Sequence, residues 1–164
     1  IERKMEALTD GYLRALAETE PARRAHVFEL LRSTEQELCG QFTRFVADFA
    51  AADEPSTRVS TLPLPLPYAA RLLPAASFDM RRALGIHARG IRRAIETEHA
   101  TDERARAFAI SAELLLMQHT CHWFCKSRLV ASARMLARHK TSYEQAIASV
   151  LPETRAAYLA LVGR

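Results

Sequence analysis

The sequence predicts an all-α protein: a bundle of four to five helices with a proline-rich extended crossover between the second and third. Three observations carry this. Apolar residues recur at spacings of three and four through most of the chain. Ala, Leu, Glu and Arg are abundant while the 164 residues include only five glycines, a composition that favours helix over strand. Most of the prolines are gathered in one stretch, "PSTRVSTLPLPLPYAARLLP", which leaves long unbroken runs on either side. A hydrophobic content of 49% is ample for one continuous core. The expected organisation is one domain: a helical hairpin over 1–54, a connection over 55–76, and three to four further helices over 77–164.

From Glu2 to about Glu18, Met5, Leu8, Tyr12 and Leu16 mark a first amphipathic helix. Pro21, tolerated in a first helical turn, starts a second, whose stripe of Val27, Leu31, Thr34, Leu38, Phe42, Phe45 and Phe49 runs nearly to Asp53. Between Pro55 and Pro74, repeated prolines remove backbone donors and favour polyproline II geometry. Leu62, Leu64 and Leu66 are expected to anchor that segment on the bundle. Its P-x-P spacing is not the P-x-x-P of ligands for proline-binding domains.

Ser77 is the expected cap of a third helix reaching about His99. Thr101, followed by Asp102 and Glu103, is the expected cap of a fourth and longest helix that runs unbroken to Arg138-His139-Lys140, whose charges suit a helix C-terminus. Thr141 and Glu144 form an expected capping box for a fifth, which Pro152 interrupts before a short sixth.

Projected at 100° per residue, the third helix places Met80, Leu84, His87, Ile91 and Ile95 on one side. Arg81, Arg82, Arg89, Arg92 and Arg93 fall on the other, the most polarised surface in the chain. With a formal charge of +4, such a face suits an anionic partner: an acidic protein, nucleic acid phosphates or an anionic membrane surface. An ordinary solvated face is the bland alternative.

The fourth helix contains "MQHTCHWFCK". Its projection puts Ile110, Leu114, Met117, Cys121, Cys125, Leu129 and Leu136 in one packing arc, His122 at the arc's inner edge, and His119 and Trp123 toward the boundary. Glu113, Thr120 and Ser127, seven apart, form a polar strip expected to reach solvent. His119 with His122, or His122 with Cys125, are three apart and can face one metal centre. His87, Cys121, Cys125, Cys39 and Glu113 would supply the remaining ligands of a metal site, or surroundings for haem or a small apolar ligand. Only one E-x-x-H pair occurs, Glu96 to His99, where a di-iron bundle uses two.

Three cysteines without framework spacing read as reduced thiols, hence a cytoplasmic protein. Cys121 and Cys125 are too far apart on a helix to bridge. The chain begins at Ile1 with no charged-then-apolar leader and reads as trimmed. Ala107 to Lys126, the least charged stretch, contains Glu113, Gln118, His119 and His122 and is a poor membrane span.

Enzymatic motifs are sparse: there is no G-x-S-x-G turn and no phosphate-cradling glycine loop. Arg134 and His139 fit the R-x4-6-H spacing of all-helical RNases of the HEPN type. Arg82–His87 and Arg93–His99 fit it too, and Met135 stands where a polar residue usually follows the motif arginine, so the spacing alone carries no resemblance. The expected function is a non-enzymatic regulatory or protein-interaction module, capable of self-association, that offers its arginine face to an anionic partner. A core sensor of haem, metal or an apolar ligand is the first alternative, and an HEPN-like RNase the second.

Overall fold

The structure, a computed structural model, describes residues 1–62, 74–96 and 102–163. Eight helices and one two-stranded ribbon are present among them, so the all-helical class holds. In chain order they are α1 (Glu2–Ala17), α2 (Pro21–Phe49), α3 (Glu54–Thr57), β1 (Arg58–Ser60), β2 (Ser77–Asp79), α4 (Met80–Glu96), α5 (Glu103–Cys125), α6 (Arg128–His139), α7 (Tyr143–Ser149) and α8 (Pro152–Val162). No helix among the described residues is long and apolar enough to cross a membrane.

α1 and α2 pack as a hairpin, α2 lies against α4, and α4 lies against α5. α6 and α7 cover α5 from another side, and α8 returns to α4. α5 is therefore central, with Ile110, Leu114, Leu116 and Met117 all buried. The predicted stripe of α4 is confirmed: Met80, Leu84, His87 and Ile91 are buried and Ile95 is half-buried.

Three boundaries differ from expectation, and one element was not expected. Ser77 does not cap α4; it belongs to β2, and the Asp79 carboxylate instead accepts from the Arg81 amide at 2.9 Å. The long fourth helix breaks at Lys126, and Ser127 caps a separate α6 by accepting from the Val130 amide. The capping box sits one residue on, between Ser142 and Gln145 rather than Thr141 and Glu144. The ribbon was not expected: Arg58, Val59 and Ser60 pair antiparallel with Asp79, Phe78 and Ser77. Asp102 caps α5, its carboxylate accepting from Arg104 N, whereas Thr101 lies outside the described residues.

The expected crossover falls mostly on residues 63–73, outside the described residues, as do Leu64 and Leu66. Its ends are held together, since β1 pairs with β2 and Thr61 N donates to Ala76 O at 2.8 Å. Trp123 anchors the ribbon: its indole N–H donates to Ser60 O at 2.9 Å and its ring meets Phe78 edge-on at 5.1 Å.

One buried ion pair ties the hairpin to the rest. Glu35 of α2 is fully buried and accepts from Tyr12 OH of α1 at 2.7 Å and from both Nη atoms of Arg106 of α5. Arg106 Nη2 also reaches Ile95 O of α4. Burial first, then the charge of Glu35, raises the Tyr12 hydroxyl far above its ordinary pKa and keeps it a donor.

Removing one partner of a buried pair strands the other's charge. Arg106→Ala should therefore lower the unfolding free energy by about 3–5 kcal/mol, and adding Glu35→Leu should recover much of that loss. Urea titrations of the two variants followed by Trp123 fluorescence check both expectations.

Candidate functional site

α5 carries polar residues into the interior. Glu113 and Thr120 are completely buried, and Ser127 just beyond the helix is nearly so. The strip expected at the surface is thus the buried one. The break at Lys126 ends the helix on which the projection was drawn, so Leu129 and Leu136 emerge on α6, 56% and 54% exposed. Cys121 is half-buried and Cys125 exposed, while His119 and Trp123, expected near the boundary, are buried.

The buried groups form a seam between α4, α5 and α8. His87 Nε2 lies 2.9 Å from Thr120 Oγ1, which also contacts Leu116 O at 2.9 Å and Tyr158 OH at 3.0 Å. Tyr143 OH donates to Tyr158 OH at 3.4 Å. One proton arrangement satisfies all four contacts. Leu116 O can only accept, so Thr120 donates to it and accepts from both His87 Nε2–H and Tyr158. His87 Nδ1 then carries a bare, buried lone pair without a partner.

His119 continues the seam on α5's other side. Its Nε2 meets Ser132 Oγ of α6 at 3.0 Å, and its ring stacks on Tyr143 with centroids 4.4 Å apart. Burial, with a smaller contribution from His119, lowers the His87 pKa to about 3. Burial, His122 and Arg128 lower that of His119 to about 4. Both rings are neutral at ordinary pH, because an imidazolium there would lose its hydration without gaining a counter-charge.

Glu113 forms the second rung. Its Oε1 accepts from the Leu151 amide at the start of α8, at 3.0 Å. Oε2 packs over Gly90 of α4 beside Thr154 of α8. A Cβ at residue 90 would lie 2.5 Å from Thr154 Oγ1 and closer still to Oε2, so only glycine lets the three helices meet here. Burial raises the Glu113 pKa to about 7, against the Leu151 amide and Thr154 hydroxyl, which favour the ionised form.

The proposed ligand set is not brought to one point. His87 approaches His119 and Thr120, whereas His122 is half-buried on another side, its pKa lowered by burial and by Arg134. The Cys121 thiol is raised to about 12, by burial and then by Cys125. Among the described residues no group of three His, Cys, Asp or Glu side chains could hold a metal ion. Arg134 and His139 share His122's corner, but Glu2 is there too and Arg138 is paired with Glu6 at 2.9 Å. That corner therefore carries charges of both signs.

The arginine face divides. Arg81 is bound by Nε and Nη2 to Asp79 and by Nη1 to Ala52 O. Arg93 pairs with Glu153 at 3.3 Å and Arg92 reaches Thr43 Oγ1 at 3.5 Å. Arg82 and Arg89, both exposed, have no partner among the described residues. They border a groove of about 720 Å³ between α4 and α8, with Gly85 and Ile86 on one side and Ala157, Ala160 and Leu161 on the other.

Sequence reasoning singled out His87, His119 and the arginines but missed Gly90, Thr154, Tyr143, Tyr158 and Ser132. Gly90 had a visible signal: an isolated glycine inside a strongly helical stretch marks close packing. The tyrosines had none, because their partners lie far away in sequence.

Glu113 gives the stability a definite pH dependence. Its folded pKa of about 7 exceeds the ordinary 4.5, so the folded state holds more protons in that window and loses stability as pH rises through it. Glu113→Gln should match the wild type near pH 4.5 and exceed it above pH 7 by up to about 3 kcal/mol. His87 and His119 act oppositely: their neutral rings contribute stability that is full above pH 6.5 and lost as pH falls toward about 3 for His87 and about 4 for His119. Guanidinium denaturation across pH 4–8 for both proteins measures these slopes. Gly90→Ala should destabilise at every pH in that range.

Comparison of the chain with protein-family models, with curated proteins and with solved structures found no match.

Proposed function

We propose that the chain is a non-enzymatic regulatory or protein-interaction module, a helical bundle whose groove between α4 and α8 receives an acidic, amphipathic segment of a partner protein. The observation that supports it is the pair of guanidinium groups, Arg82 and Arg89, that have no partner among the described residues, on a face where the other arginines do. Seven residues apart on one helix, they stand about 10 Å from each other along its axis. Two carboxylates one heptad apart on a partner helix match that interval. The apolar wall of Ala157, Ala160 and Leu161 suits the same helix's small apolar side chains, which can approach closely over alanines.

The groove suits a peptide better than nucleic acid. Only two of its guanidinium groups, Arg82 and Arg89, lack partners among the described residues, far fewer than the phosphate contacts that hold nucleic acid tightly. An apolar wall offers phosphates nothing. The buried seam supports the same reading: the chain of contacts from His87 through Thr120 to Tyr158 fixes α8 against α4 and α5 and keeps the groove preformed.

The test uses a labelled helical peptide of alanine and leucine with two glutamates seven apart. Arg82→Glu and Arg89→Glu should each weaken binding about tenfold or more, added salt should weaken wild-type binding, and Arg93→Glu should change it little. Anisotropy titrations measure all three. An unbound peptide, or a short RNA bound more tightly than the peptide with the same arginine dependence, defeats the proposal.

A further inference from the structure

We propose that α6 docks on the surface of an anionic lipid bilayer, lying in the interface rather than crossing it. The helix turns its apolar side to solvent. Leu129, Val130 and Leu136 are 56%, 48% and 54% exposed, and Ala133 and Ala137 are exposed among them. At 100° per residue these five occupy an arc of about 120°, opposite Ala131 and Met135, which are buried on the side that meets the bundle. A surface helix ordinarily shows the reverse, with its polar side outward.

Charge selects the occupant. From Lys126 to Ser142 the chain carries Lys126, Arg128, Arg134, Arg138 and Lys140 and no Asp or Glu. Lys126 and Lys140 stand at the two ends of the apolar strip and Arg134 flanks it beside Val130; all three are exposed and in no ion pair among the described residues. Arg138 is paired with Glu6 at 2.9 Å, and Glu2 and Asp10 of α1 line the same groove. Arg138 projects about 140° from the middle of the strip, so those carboxylates lie off it. Apolar side chains bordered by cations complement an anionic leaflet: the leucines enter the acyl boundary while Lys and Arg stems reach back to the phosphates. An acidic protein helix fits less well, because it would lie in a groove and present its carboxylates in one row. Leu129, Val130 and Leu136 line neither the groove between α4 and α8 nor those that α1 and α7 form with α5, and the cations stand at both ends as well as along one flank. The chain's charge of +4 favours the approach to such a surface. The strip shares no residue with the groove between α4 and α8, so the two contacts are separable by substitution.

Vesicle flotation tests the docking. The protein should float with vesicles of phosphatidylcholine and phosphatidylserine in roughly a two-to-one ratio, stay behind with phosphatidylcholine alone, and float less as salt is added. Leu129→Gln with Leu136→Gln, and separately Arg134→Glu with Lys140→Gln, should each weaken partitioning about tenfold or more. Arg82→Glu with Arg89→Gln makes the same change in net charge on α4 and should weaken it much less. All these positions are exposed, so the variants should keep the wild-type circular dichroism and melting temperature, which separates lost docking from lost folding. Flotation that survives the two leucine substitutions is adsorption by charge alone and overturns the proposal, as does an equal loss from the α6 and α4 charge variants. A protein left behind by the phosphatidylserine vesicles overturns it too, and an acidic amphipathic peptide bound through Arg134 in their place identifies a protein partner instead.

Discussion

The central constraint in this molecule is that its most enclosed helix is not apolar. α5 places Glu113, His119 and Thr120 where no water reaches them, and each such group costs free energy unless the protein supplies its hydrogen bonds. The arrangement of α4, α6, α7 and α8 around α5 follows from meeting most of that demand; His87 Nδ1, His119 Nδ1 and Glu113 Oε2 have no hydrogen-bond partner among the described residues. Gly90 lets α4 approach, the Leu151 amide and Thr154 bring in the first turn of α8, Tyr158 brings in its second, and Ser132 and Tyr143 draw α6 and α7 to His119. Hydrophobic burial favours compactness. The seam selects which compact arrangement forms, because a slipped helix would leave several donors and acceptors unpaired together.

α8 couples this interior to the surface. Thr154 and Tyr158 belong to the seam, and Ala157, Ala160 and Leu161, within two turns of the same helix, form a groove wall. A change in the protonation of Glu113 acts first on the helix start that carries Leu151 and Thr154. The partly positive helix N-terminus and the Leu151 N–H favour the carboxylate, while burial favours the acid. Those opposing influences place its titration near neutrality, well below what burial alone would produce.

Much of the architecture was legible because it depends on local periodicity. α1, α2 and the buried stripe of α4 appear as repeats of three and four, and Pro21 and Pro152 sit in first turns. What could not be read depends on contacts distant in sequence. The projection of "MQHTCHWFCK" assumed one helix through Ser127, but Ser127 takes the conformation and hydrogen bond of an N-cap. Past that point every inferred direction changed, which reversed the expectation for Leu129 and Leu136. The strip of Glu113, Thr120 and Ser127 was seen correctly as a strip and assigned to the wrong side. A periodicity of polar residues identifies a face, but Tyr158, Gly90 and Leu151 decide whether that face is buried, and nothing near residue 113 announces them.

The arginines show how folding and recognition can be separated within one residue type. Arg106 and Arg81 reach both a carboxylate and a backbone carbonyl, so their planar groups are held in place and their removal would leave Glu35 or Asp79 unpaired. Among the described residues Arg82 and Arg89 make no comparable contact, and an exposed arginine without a partner contributes almost nothing to stability. Folding therefore places no demand on those two side chains beyond helix propensity, which Lys, Glu or Gln would meet nearly as well. Their positions on the groove are free to follow what the groove contacts, and their charge remains available because the structure does not consume it.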